Sequence, residues 1–394
     1  MISIRARMPL DGRGWESPEG PRRQLYLAAA SSVRRRLPAP VSGLVLAGAR
    51  AGWAPLALME AWTYARRPDR RTPIWPLFVD CLMAGAWPGE AWAWRQLFGE
   101  RIELGKRALT LLTVLGDPAG RTLLADKAAT AAVLRAAGVG APETLAIIGP
   151  GSAEQDLRPL RQARTGLVAK PRYGAGARGL VMAEPQGDDS WLVNGAKMNW
   201  EEFSARLRGA GEPLVVQPRL RGARVLGGFL DAERPPILRI TTARRPGGDP
   251  FVHGALLAIP IPGNKAVDFA TKDVRAPVDP ASGRVAAGVL VANPRQPLSS
   301  VPWNGARIEG RVIEAVPEAA RATLAAAAAI PPLPVVSWDV VLTDAGPMVL
   351  EGNSVNNWVL VNLARIFGGE AASLVPLLAE WAQAAGRTAG RQLG

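Results

Sequence analysis

Two apolar runs, Val335–Thr343 and Pro347–Leu350, flank the turn residues Asp344-Ala345-Gly346, a pattern that predicts an antiparallel hairpin. This constrains the fold around it, because an isolated two-stranded ribbon is marginal in water and needs further strands beside it. It also places two acids. Asp339 falls inside the first strand and Glu351 at the end of the returning one, where the two carboxylates can face each other. Asn353 follows two residues on, so its amide oxygen can point the same way. Two carboxylates and a neutral oxygen donor suit magnesium, a hard cation that completes its shell with water and phosphate oxygens.

Residue usage narrows the chemistry further. The chain has 394 residues, enough for more than one domain, and 48% hydrophobic with 21% charged residues is the balance of a globular protein. A single cysteine, Cys81, excludes an intramolecular disulfide and a thiolate metal site, and fits a reducing compartment. A single histidine, His253, excludes Ser-His-Asp triads and histidine-built metal centres. Lying in the strand-like run Phe251–Ile259, it reads as a satisfied structural histidine. Chemistry is therefore left to carboxylates, lysine, arginine and a cofactor. No apolar segment with a small-residue cleavage site follows the charged stretch Met1–Arg7, so no signal peptide is expected. The apolar stretch Val41–Ala65 is interrupted by Arg50, Pro55 and Glu60 and reads as a pair of buried or amphipathic helices, not a membrane span. The expected location is cytoplasmic.

The formal net charge is +13, concentrated at the front: residues 1–110 hold 17 Lys and Arg against 9 Asp and Glu. The clusters are Arg34-Arg35-Arg36 and Arg66-Arg67 with Arg70-Arg71. No recognition helix, zinc finger or aromatic-glycine RNA-binding motif accompanies them, so no specific nucleic-acid partner is expected. A solvated basic face is the preferred reading, with an anionic partner or membrane surface as the alternative.

Three regions are expected. Residues 1–110 form a basic, mostly helical segment that holds seven of the 13 tryptophans and is divided by prolines. Residues 111–210 and 211–394 have α+β texture. In the first, Asp126 is placed to cap a helix Lys127–Ala137, and strands are expected at Gly166–Lys170 and Leu180–Ala183, with a helix at Trp200–Arg208; the second opens with a strand at Leu214–Gln217. In the second, strands at Ile237–Arg244 and Phe251–Ile259 join the hairpin, with helices at Arg311–Ala329, Asn357–Phe367 and Ala371–Ala385. Pro260–Val278, with Lys265, Asp268, Lys272 and Asp273, reads as a functional loop, and 293–305 as turns or surface connections.

Only six of the 47 basic residues are lysines, and two stand at informative positions. Lys127 opens a helix. Lys170 ends a strand that runs into Pro171-Arg172-Tyr173-Gly174-Ala175-Gly176-Ala177-Arg178-Gly179. A glycine-rich turn between strands exposes backbone N–H groups and folds over phosphate oxygens, which Lys170 is placed to reach. It is neither a Walker loop nor a dinucleotide fingerprint, since no helix opens there. The run Leu214–Gln217, followed by Pro218-Arg219-Leu220, can offer backbone groups to an adenine edge.

In this order and spacing the residues resemble the ATP-grasp superfamily over roughly residues 115–365, and most closely its sugar-transfer-associated branch. The supporting text is Leu238-Arg239-Ile240-Thr241-Thr242, Asp279-Pro280-Ala281-Ser282-Gly283-Arg284, Ser337-Trp338-Asp339 and Gly346-Pro347-Met348-Val349-Leu350-Glu351-Gly352-Asn353. The resemblance implies two α+β subdomains clasping ATP. Lys127 and Lys170 would contact phosphates under a loop containing Gly174, Gly176 and Gly179, and Gln217 and Leu220 would border adenine. Asp339, Glu351 and Asn353 would bind magnesium. Arg239 would steady the transferring phosphoryl group or a substrate carboxylate, making Arg239 and Lys170 the implied catalytic residues.

The implied reaction is a carboxylate–amine ligation through an acylphosphate, in polysaccharide or cell-surface glycan biosynthesis. Many family members carry arginine two residues before the metal-binding aspartate, where this chain has Ser337. A nucleotide-binding regulatory or assembly protein is therefore the alternative.

Overall fold

The computed structural model describes residues 30, 34, 37–66, 73–98, 102, 105, 115–174, 179–187, 189–229, 234–263, 273–290, 293–354 and 373–391. The front region is helical: α1 (Ala39–Ala65), α2 (Ile74–Ala84) and α3 (Pro88–Phe98) pack on one another. The expected helix pair in 41–65 is instead one continuous 27-residue helix with Pro55 inside it. In α2, buried Asp80 accepts hydrogen bonds from Arg95 of α3, which ties the two helices together.

Two short helices follow, α4 (Pro118–Ala125) and α5 (Lys127–Ala136). Asp126 caps α5 as expected, accepting hydrogen bonds from Ala128 N at 3.0 Å and Ala129 N at 3.1 Å.

The first sheet has six strands, β1 (Ala146–Ile148), β2 (Leu167–Pro171), β3 (Val181–Gly187), β4 (Ser190–Val193), β5 (Ala196–Asn199) and β6 (Leu214–Pro218). Their spatial order is β1-β6-β2-β3-β4-β5, so this sheet extends past residue 210 to include β6. Two helices accompany it: α6 (Glu154–Arg161), which the sequence reading missed, and α7 (Trp200–Arg208), which lies where expected. A core of Ile148, Leu157, Leu167, Trp191, Trp200, Phe203 and their neighbours lies beneath it.

The second sheet has seven strands: β7 (Ile237–Arg244), β8 (Pro250–Ile259), β9 (Val274–Val278), β10 (Gly288–Leu290), β11 (Asn293–Leu298), β12 (Val335–Thr343) and β13 (Gly346–Asn353). Their order is β11-β10-β9-β8-β7-β12-β13, every pairing antiparallel. Helix α8 (Val316–Ala329) packs on its apolar face. It starts five residues later than expected, with Pro317 in its first turn, where the missing N–H does no harm. Helix α9 (Val375–Arg391) is the last element, and its Trp381 donates to the Arg244 carbonyl. The expected helix Asn357–Phe367 lies outside the described residues.

Two expectations for 260–305 are corrected. The segment read as a loop ends in β9, a buried strand inside the sheet; residues 264–272, including Lys265, Asp268 and Lys272, lie outside the described residues. The stretch read as surface connections contains β11. Pro294 and Pro297 hide it in the sequence, but they are tolerated because β11 is an edge strand.

His253 is corrected as well. It is the extra residue where the β7–β8 register shifts, and its Nε2 is buried without a hydrogen-bond partner. Burial lowers its pKa to about 4, so it is a neutral structural residue but not a satisfied one.

Candidate functional site

Strand alternation divides the second sheet into two chemically different faces. Leu238, Ile240, Leu257, Ala276, Trp338 and Val340 enter the apolar core with α8. The intervening residues, Arg239, Thr241, Arg275, Ser337 and Asp339, share the opposite face. Buried charge on one face of a sheet is the feature here that apolar packing does not explain.

Arg239, Asp339 and Glu351 are direct register partners, forming one row across β7, β12 and β13. Thr241, Ser337 and Asn353 form the next row. The alignment depends on a bulge. Counting from the turn, Thr343 pairs with Gly346 and Val340 with Val349, a register that would set Leu350 opposite Asp339. The register shifts at that point, and Glu351 takes the place opposite Asp339. The one unpaired residue, Leu350, turns Glu351 and Asn353 onto the polar face and lets Val349 stay in the core.

Within the row, Arg239 donates two hydrogen bonds to Asp339, Nε to Oδ1 at 2.6 Å and Nη2 to Oδ2 at 2.8 Å, with both residues buried. Burial opposes the arginine's charge, but Asp339 and Glu351 outweigh it and hold its pKa above the usual value. In the neighbouring row the Ser337 and Thr241 hydroxyls share a hydrogen bond at 3.0 Å, and Asn353 Nδ2 reaches Glu351 Oε1 at 3.5 Å. Among the described residues no group of three or more His, Cys, Asp or Glu forms a metal cluster. The donor set is thus two carboxylates and one amide, hard oxygens that fit magnesium provided water and phosphate complete the shell.

The lysines come from earlier in the chain, Lys170 from the first sheet and Lys127 from α5, which packs on the second sheet. Lys170, on β2 of the first sheet, lies within electrostatic reach of Glu351, Asp339 and Lys127. Burial draws its pKa below the ordinary lysine value; the carboxylates resist that and Lys127 adds to it. Lys127 is buried at the start of α5 and donates from Nζ to the Gly174 carbonyl at 2.7 Å. The helix end and the glycine loop are also joined by Lys127 N to the Arg172 carbonyl at 3.1 Å, and by Arg172 to Asp126 at 2.6 Å. The Arg172 guanidinium holds the Asp126 carboxyl below its ordinary value. Gly174 and Gly179 have φ of +96° and +73°, conformations that side chains disfavour, so these glycines shape the loop. Gly176 lies outside the described residues.

Gln217 lies beside Lys170: β6 pairs with β2, Val215 opposite Lys170 and Gln217 opposite Val168, on the face of the first sheet away from its apolar core, and Leu220 follows the end of β6. Gln217 is buried and its Nε2 donates to the Pro142 carbonyl at 3.4 Å, while Leu220 is half-buried. Beside them Arg219 pairs with Glu184 of β3 at 2.7 Å.

Sequence reasoning overlooked Arg275. It lies in β9 on the polar face, 2% exposed, with electrostatic links to Arg239, Asp339, Asp273 and Arg234. Burial lowers its pKa to about 10. Arg234 and Asp273 form a buried pair at 3.3 Å close by. The available signal was an arginine inside Val274-Arg275-Ala276-Pro277-Val278, a run otherwise fit for a core strand.

A family model described as sugar-transfer associated ATP-grasp matches residues 110–374. No curated protein matches the chain. Among solved structures, it is similar to the VanG D-Ala:D-Ser ligase from Enterococcus faecalis, with 11% identity and a TM-score of 0.43 over 70% of this chain and 68% of that one. It is also similar to the D-alanine-D-alanine ligase from Coxiella burnetii, with 14% identity and a TM-score of 0.44 over 73% of this chain and 66% of that one. A biotin carboxylase from Campylobacter jejuni matches at 14% identity and a TM-score of 0.39, over 68% of this chain and 48% of that one. The chain therefore spans from about half to two thirds of the length of these structures.

Proposed function

The chain belongs to the sugar-transfer associated ATP-grasp family, and from that premise we propose that it is an ATP-dependent ligase. It activates a carboxylate as an acylphosphate and transfers the acyl group to an amine or similar nucleophile. The proposed setting is the cytoplasm, in the assembly of a polysaccharide or cell-surface glycan precursor.

The observation that carries this reading is electrostatic. Two lysines from earlier in the chain converge on a row of carboxylates and an arginine on the second sheet. A triphosphate needs both signs nearby: ammonium groups for its oxygens, and carboxylates that recruit a divalent cation. Asp339, Glu351 and Asn353 would hold magnesium, which supplies charge neutralisation on the phosphate oxygens when bound. Lys127 and Lys170 hold the phosphates from the opposite side, and the loop at Gly174 and Gly179 covers them. Gln217 and Leu220 border the adenine.

In the reaction, a carboxylate oxygen of the substrate acid bonds to the γ-phosphorus as the bond to the β–γ bridging oxygen breaks and ADP leaves. The nucleophile's lone pair then attacks the acyl carbon and phosphate departs. The nucleophile's proton passes to phosphate or solvent. No histidine base is needed, because phosphoryl transfer asks chiefly for positioning and charge stabilisation.

A second reading, a nucleotide-binding regulatory or assembly protein, is favoured by one observation: Asp339 is already held by Arg239 through both carboxylate oxygens. ADP release in magnesium-ATP, measured with a panel of amino acids and sugar acids, separates the two. The ligase reading expects acid-stimulated release that falls by about 100-fold or more in Glu351→Gln. Nucleotide binding without release for any acid supports the second reading, and unchanged turnover in Glu351→Gln defeats the first.

A further inference from the structure

Helix α1 is apolar on both sides. Its inner face, including Leu46, Trp53, Ala57, Ala61 and Tyr64, is buried, and Trp53 Nε1 donates to the Leu82 carbonyl of α2 at 2.9 Å. On the outer face Val41, Leu44, Leu58, Met59 and Trp62 recur at helical spacing along one stripe. They are exposed, Leu44 by 75% and Met59 by 59%. Trp75 of α2 adds a further exposed aromatic ring, at 68%. In 27 residues the helix carries only two charges, Arg50 and Glu60, and an 18-residue window has mean hydropathy 1.3. A contiguous exposed apolar stripe on a helix calls for a partner.

Charge identifies that partner. The helix is bracketed in the sequence by Arg34-Arg35-Arg36 before it and Arg66-Arg67 with Arg70-Arg71 after it, and residues 1–110 carry eight more positive than negative charges. Two copies of so basic a region repel when brought face to face, whereas an anionic lipid surface attracts both ends of the helix at once. The Arg66 guanidinium lies over the Trp62 ring, 4.1 Å from its centroid, which places a cation beside an aromatic ring that favours the boundary between hydrocarbon and water.

We propose that the outer face of α1 lies in the headgroup layer of an anionic lipid bilayer, with the helix axis parallel to the surface. The helix is long enough to cross a bilayer, but its inner face is occupied by α2 and α3, and crossing would strip that contact away. Basic clusters at both ends also favour an orientation that keeps both in one layer of headgroups. Because α3 packs against β11, docking would hold the edge of the second sheet close to the membrane. This inference is independent of the ligase reading, since it uses none of the residues assigned to ATP.

The test is flotation of the full-length protein with vesicles of phosphatidylcholine alone or mixed with phosphatidylglycerol. The expected result is binding to the anionic vesicles only, weakened as salt rises from about 0.1 M to about 1 M and the screening length contracts from about 10 Å to about 3 Å. The triple substitution Leu44→Glu, Met59→Glu, Trp62→Glu should lower partitioning by about tenfold or more, with circular dichroism and melting temperature unchanged because the three side chains are exposed. Equal binding by that variant overturns the proposal. So does an absence of vesicle binding together with a concentration-dependent dimer that the substitutions abolish. Retention of wild-type protein in vesicles after alkaline carbonate extraction overturns the parallel orientation in favour of a span.

Discussion

Arg239 and Asp339 are buried, oppositely charged and joined by two hydrogen bonds in one row of the second sheet. A buried pair of this kind adds little net stability, because both charges have lost water, but breaking one side leaves the other stranded. Arg239→Met should destabilise the protein by about 3–5 kcal/mol, read as a drop in the urea midpoint. The double variant Arg239→Met, Asp339→Leu should recover most of that loss while remaining inactive. If the double variant is no more stable than the single one, the destabilisation comes from packing and not from a stranded carboxylate. His253 provides a pH counterpart. Its pKa falls from 6.5 to about 4 on folding, so below pH 6.5 the unfolded chain takes up a proton that the folded one refuses. Stability is therefore complete above pH 6.5 and declines as pH falls toward about 4, by roughly 3 kcal/mol in all. Urea midpoints of wild type and His253→Gln at neutral and acid pH check this. A decline that is the same in both proteins would assign it to other groups.

Among the elements, the bulge at Leu350 decides whether there is a site. Inserting one alanine between Leu350 and Glu351 sets the alanine opposite Asp339 and turns Glu351 to the place of Gly352, facing the core beside Trp338. The insertion should abolish magnesium-dependent nucleotide binding, measured by calorimetry, and lower stability by about 2 kcal/mol or more through the buried carboxylate. Persistence of that binding would mean that Glu351 is dispensable for the metal. The bulge also marks a limit of what the sequence makes legible. The hairpin could be read because its apolar runs and turn residues agree, and Asp339, Glu351 and Asn353 could be singled out by residue type. Their alignment needed an unpaired Leu350 that no local pattern announces. The β4–β5 hairpin, by contrast, carried a plain signal that went unread: Asn194-Gly195, both with positive φ, the preferred two-residue turn between strands.

At the scale of the whole molecule, legibility followed how far apart in the chain the interacting residues lie. Asp126 as a helix cap acts on residues two and three positions away, and it was readable. The meeting of Lys170 with Glu351 spans most of the two sheets, and only the family resemblance placed them together. Arg275 joined neither account, because a buried cation in a proline-containing strand has meaning only once β8 pairs with it and brings β7 and β12 into the same sheet. The two sheets keep separate apolar cores, with Trp191 and Phe203 in one and Trp338 and Leu257 in the other, and among the described residues no side chain belongs to both. Rigid-body displacement alone can therefore widen or narrow the gap between the ammonium on one body and the acids on the other. A bulky solute then gains entry without either interior loosening, and the gap is free to respond to whatever charge arrives in it.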